Sequence, residues 1–69
     1  MKILDSSDLG KVIRKRRKEL HYTQEYISQF TGLSVSFISD VENGKPTAEL
    51  EKVLKLVHIL GMDVFVEER

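Results

Sequence analysis

The sequence predicts a small all-α fold, a helix-turn-helix bundle of four to five helices, followed by one C-terminal β-strand. Three observations predict it. Between Leu9 and Leu60, apolar residues recur at the spacing that turns one side of a helix toward a core. The stretch Thr23 to Gly44, TQEYISQFTGLSVSFISDVENG, holds two cap residues (Thr23, Ser34) and two glycines suited to helix ends (Gly32, Gly44). Those spacings fit two short helices joined by a tight turn. Only Met62-Asp63-Val64-Phe65-Val66-Glu67 is rich in strand formers.

The totals bound the rest. A chain of 69 residues makes one small domain, with a core small enough to need a staple or a partner subunit. There is no cysteine, and the two histidines, His21 and His58, lie far apart. A disulfide and a zinc site are therefore not expected, and no cofactor or metal is predicted. Dimerisation is the remaining staple. No long apolar run is present, so neither a membrane span nor a secretory signal is expected, and the predicted compartment is the cytoplasm. The expected division is an N-terminal segment at 1–7, a helical domain at 8–61 and a dimerising strand and tail at 62–69.

Formal net charge is zero, but its distribution is uneven. Residues 1–45 hold eight bases and six acids, whereas residues 46–69 hold three bases and five acids. Lys11 to Lys18 carries six bases and no acid. Such a local patch matters more for phosphate binding than the total.

Taken in order, Ile3-Leu4 is an isolated apolar pair. Ser6, Ser7 and Asp8 supply candidate caps for a helix over roughly 8–20. Its stripe is Leu9, Val12, Ile13 and Leu20, with Arg16 or Arg17 filling the middle turn and requiring a partner there. His21-Tyr22 links to the helix capped by Thr23. After Gly32, Ser34 caps a helix that ends at Asn43-Gly44. Ile27, Leu33, Ile38 and Val41 give both helices an apolar side. Lys45-Pro46 forms a break, and Thr47 is placed to cap a last helix over about 48–60. Its apolar residues cover an arc of about 220°, against the ~100° that one core requires. The excess, chiefly Leu56 and Ile59, predicts a second surface. A lone strand at 62–67 also needs a partner. Both point to a two-fold dimer closed by an inter-subunit ribbon, with Leu56, Ile59, Met62, Val64, Phe65 and Val66 at its interface. Pairing of the strand with Ile3-Leu4 is the alternative.

In a helix-turn-helix the second helix lies in the major groove of DNA. Here that helix would present Ser34, Val35, Ser36 and Ser39. Residues 9–61 resemble the phage-repressor (Cro/C1, XRE-type) helix-turn-helix family, a lambda-repressor-like DNA-binding domain. The carrying residues are Ile13-Arg14, Arg17, Thr23-Gln24, Gly32, Ser34, Ile38 and Val41-Glu42-Asn43-Gly44-Lys45. Gly61-Met62-Asp63-Val64 and the terminal strand add a narrower similarity to HipB-like antitoxins.

The resemblance implies a non-enzymatic transcriptional repressor that binds double-stranded DNA at a near-palindromic operator. It also implies an antitoxin that controls its own operon and binds a HipA-like kinase toxin, and nucleoid association when operator-bound. A toxin-neutralising interaction module and a phage or restriction-system controller are the alternatives. Thr23 is a candidate DNA contact, and Gln24 falls where the family meets a phosphate or supports a side chain that reads a base; Ser34, Val35, Ser36 and Ser39 fall at its base-facing positions. Asn43 and Lys45 follow the recognition helix, and Arg14 and Lys18 flank the backbone from the first helix. The resemblance further implies a buried ion pair between Arg17 and Glu42, which are structural. The base-facing set lacks arginine, asparagine and glutamine, the residues of bidentate base readout, so DNA shape or water is expected to share in specificity. Phe37 is expected at a packed helix edge, and Phe30 is a candidate partner contact.

Overall fold

The computed structural model describes residues 2–69. Four helices fold around one core: α1 (Ser6–Glu19), α2 (Gln24–Thr31), α3 (Val35–Glu42) and α4 (Leu50–Ile59). The core is Ile13 from α1, Ile27 from α2, Leu33 from the turn, Ile38 and Val41 from α3, and Val53, Leu56, Val57 and Leu60 from α4 and its end. Leu9, Leu20, Tyr22, Phe37 and Met62 pack around its margin. Among the described residues no helix is long and apolar enough to cross a membrane.

Local chemistry sets most of the boundaries. Asp5, rather than Ser6, Ser7 or Asp8, caps α1: its carboxylate accepts the Asp8 N–H at 2.8 Å. Asp8 in turn accepts the Leu4 N–H at 3.0 Å, so the two acids satisfy donors reciprocally. Helix α1 therefore begins at Ser6, inside the segment expected to precede the domain. Thr23 and Ser34 cap α2 and α3 through the N–H groups of Tyr26 and Phe37. Three helices end in the same double bond pattern. After α1, His21 N–H reaches Lys18 O and Tyr22 N–H reaches Arg17 O. After α3, Gly44 and Lys45 bond to Val41 O and Asp40 O, and after α4, Gly61 and Met62 bond to His58 O and Val57 O. This Schellman arrangement needs a left-handed residue, which is glycine at two sites and His21, with φ of 60°, at the third.

Two expectations at the C-terminal end are corrected. Thr47 does not cap α4: a turn brings the Ala48 N–H to Lys45 O, and the helix starts only after Glu49, which makes no side-chain cap bond. Leu56 is not surplus apolar surface, because it is completely buried in the chain's own core. Val53, Leu56, Val57 and Leu60 form the stripe that faces inward, leaving Leu50 exposed and Leu54 and Ile59 half-buried.

The strand expected at 62–67 is a further correction: no strand forms among the described residues, so the fold is all-α. Met62 turns onto the core, and the chain beyond it forms neither helix nor strand. Ile3 shares a shallow apolar groove with Val12, Met62 and Val64, yet Ile3-Leu4 does not pair with the tail. Among the described residues, the segment beyond Met62 has no backbone hydrogen-bond partner.

Candidate nucleic-acid interface

The turn between α2 and α3 is fixed by side-chain and backbone bonds together. The Thr31 hydroxyl donates to Ile27 O at 2.7 Å and accepts the Leu33 N–H at 3.0 Å. Gly32 stands at φ 80° and donates its N–H to Ser28 O. That geometry directs α3 away from α2 while Leu33 anchors the corner in the core.

Arg17 ties this unit to α1. Its Nε donates to Glu42 Oε2 at 2.7 Å and its Nη2 to Glu42 Oε1 at 2.9 Å. Its Nη1 donates to Tyr22 O at 2.9 Å, just ahead of α2. The pair's side chains are only 11% and 3% exposed, so solvent screens it little. The hydrogen bonds to Glu42 push the Arg17 guanidinium above its ordinary value; partial burial opposes this, and the charges of Glu42 and Glu25 add to it. Three segments of the motif thus meet at one guanidinium. Arg16 is also used inward, donating from Nε to Leu60 O at 2.9 Å and closing the end of α4. Of the six bases between Lys11 and Lys18, four (Lys11, Arg14, Lys15 and Lys18) remain exposed.

The candidate DNA-facing residues lie as follows. Thr23, Ser34, Ser36, Asn43 and Lys45 are exposed, and Gln24, Val35 and Ser39 are half-buried. The Ser34 hydroxyl is committed as acceptor to the Phe37 N–H at 3.0 Å, which leaves its own proton to donate. Asn43 Nδ2 donates to Ser39 Oγ at 3.4 Å, joining the end of α3 to its outer side. Lys45 Nζ lies 3.5 Å from Asp40 Oδ2 in an exposed pair, so the lysine partly screens the one acid on this side of α3. Arg14 and Lys18 stay on α1, outside the side-chain network of the motif.

Two contacts carry no plain signal in the sequence. Gln24 Nε2 donates to Glu42 Oε1 at 3.2 Å, so a residue expected only at the surface joins the buried pair. Gly10 is buried beneath the end of α3. A glycine in mid-helix costs about 1 kcal/mol relative to alanine. That cost is itself a hint of close approach, and the hint lay in the chain.

Over residues 13–65 the sequence matches the helix-turn-helix family. The chain belongs to this family. The helix-turn-helix chain is 36% identical over 63 residues to the HTH-type transcriptional regulator y4mF of Sinorhizobium fredii, covering 91% of this chain and 83% of that one. It is 30% identical over 64 residues to the ImmF control region 10 kDa protein of Bacillus phage phi105, covering 93% and 71%. Among solved structures it superimposes on a HipB–O4 20mer complex with a TM-score of 0.89, at 20% identity, over 99% of this chain and 96% of that one. That structural likeness concerns the fold. By family the chain is a DNA-binding transcription regulator and not an enzyme.

Proposed function

We propose that the chain is a sequence-specific, dimeric transcriptional repressor, the antitoxin of a HipBA-like operon that represses its own promoter and binds its toxin. The observation that carries the DNA-reading part is the small polar face of α3. Ser34 and Ser36 stand exposed at its start, while Gln24, through Glu42, and Asn43, through Ser39, are bonded to residues later in the helix. Thr23, Gln24, Asn43 and Lys45, with Arg14 and Lys18, would hold phosphates. Ser34, Val35, Ser36 and Ser39 would meet base edges.

Support for a dimer comes from the tail. Val64, Phe65 and Val66 are 50%, 84% and 94% exposed, three consecutive apolar residues outside any helix or strand. A second copy would pair that backbone and cover those side chains. Residues 62–69 would then be the dimerising segment, with Ile59 and Met62 at its base. Phe30, 68% exposed and stacked 6.3 Å from Tyr26, offers a separate aromatic contact for a protein partner such as the toxin.

The likeness to a phage control-region protein favours a second reading, a phage-type controller with the same DNA mechanism. A gel shift across salt tests the shared mechanism, using DNA from upstream of the protein's own gene against random DNA. Preferential binding to the upstream DNA with a steep salt slope supports repression. Equal, weak binding to both DNAs rejects it and leaves only a protein-interaction role.

A further inference from the structure

We infer that Glu42 is a positioning residue for DNA contact by Gln24. This deepens the proposed DNA-binding role and rests on Gln24 meeting a phosphate. Glu42 is 7% exposed, and both its oxygens accept from Arg17. A carboxylate engaged in this way has no proton to give. The Gln24 atom facing it at 3.2 Å is therefore the amide nitrogen, which settles which way round the amide stands. One N–H points inward to Glu42; the second N–H is left for another acceptor.

Gln24 is the first residue of α2, where unpaired backbone N–H groups already favour an anion. A free glutamine loses rotamer freedom when it is fixed. With Glu42 holding the side chain, that ordering takes place on folding rather than on meeting DNA. The Arg17–Glu42 pair thus fixes the helices and also aims one donor. Neither change tested below removes a charge, so the salt dependence of binding stays as it is.

Nuclear magnetic resonance reads the arrangement directly, because the chain has only three side-chain amides, those of Gln24, Gln29 and Asn43. In the unaltered protein, one Gln24 amide proton resonates downfield of those of Gln29. Glu42→Asp keeps the charge but shortens the reach, and it returns the Gln24 signal toward that of Gln29. Binding is measured on a random-sequence duplex at low salt, since a phosphate contact is independent of sequence. Gln24→Ala and Glu42→Asp each weaken it about tenfold, and the double variant is no weaker than Gln24→Ala alone. The inference is overturned if Glu42→Asp weakens binding equally in the Gln24→Ala background. It is also overturned if Gln24→Ala leaves affinity unchanged, or if the native Gln24 and Gln29 amides coincide. Should Glu42→Asp not fold, the unaltered protein decides: the Gln24 amide signal must move on adding the duplex, and a stationary signal overturns the inference. Lack of preference for the upstream DNA bears on the repressor reading alone.

Discussion

Gly10 of α1 lies directly against the backbone of Val41 in α3. A β-carbon at Gly10 would overlap the Val41 carbonyl oxygen and stand 2.9 Å from that of Glu42. Both obstacles are backbone atoms at the end of a helix that Arg17 already clamps, so neither can swing aside. The missing side chain is what lets α1 and α3 approach closely enough for that clamp.

Gly10→Ala is therefore destabilising, by about 1–3 kcal/mol from overpacking, although alanine is the better helix former by about 1 kcal/mol. Urea denaturation decides the sign. A variant as stable as the parent would mean that the two helices are not held at this distance.

Arg17→Met strands a buried carboxylate and costs about 3–5 kcal/mol. Adding Glu42→Leu removes the stranded charge, and the double variant recovers most of the loss. If the double variant were no more stable than the single one, charge compensation would not be the pair's role. The pH dependence follows in sign. Arg17 is raised above its ordinary, already strongly basic value, so its contribution is fully present throughout the acidic, neutral and mildly alkaline range. It is lost only as pH climbs past the raised folded value. The denaturation midpoint therefore shows no step from this group between neutral and mildly alkaline pH.

His21 occupies a left-handed position at φ 60°, at the end of α1, where glycine is the usual occupant. His21→Gly relieves that strain and stabilises the fold by about 0.5–1 kcal/mol after the added unfolded-chain entropy of glycine. A drop in melting temperature would show that the imidazole makes a compensating contact.

Much of the motif was legible because its signals are local. Thr23, Gly32, Ser34 and Gly44 each act within a turn of themselves, and caps and glycines are read at that range. The start of α1 was misplaced because four adjacent residues, Asp5 to Asp8, can all cap; the choice falls to Asp5, where reciprocal bonding with Asp8 and Leu4 is possible. Leu56 was misassigned for a different reason. Periodicity gives the width of an apolar arc but not which part of it faces the core, and α4 turns Leu56 fully inward. The bonds of Glu42 to Gln24 and to Arg17 span 18 and 25 residues. No window along the chain contains them. The ion pair was expected only through family resemblance, and the Gln24 bond was not expected at all.

Val64→Pro removes a backbone donor from the C-terminal tail and is incompatible with ribbon pairing. The protein is expected to shift from dimer to monomer in light scattering, with the helical signal unchanged. A dimer that survives the substitution would place the interface elsewhere, with Leu50 and Ile59 of α4 the next surface to test.

Base reading by α3 is the central claim, and Ser36 is its exposed probe at the start of that helix. Selection of bound sequences from a randomised DNA pool, run in parallel on the unaltered protein and Ser36→Arg, tests it most directly. Arginine makes bidentate contacts to guanine, worth about 1–3 kcal/mol of discrimination. The variant should select a changed site, with guanine gained at one position in each half-site. If both proteins select the same sequences and the variant merely binds all of them more tightly, α3 does not face the bases.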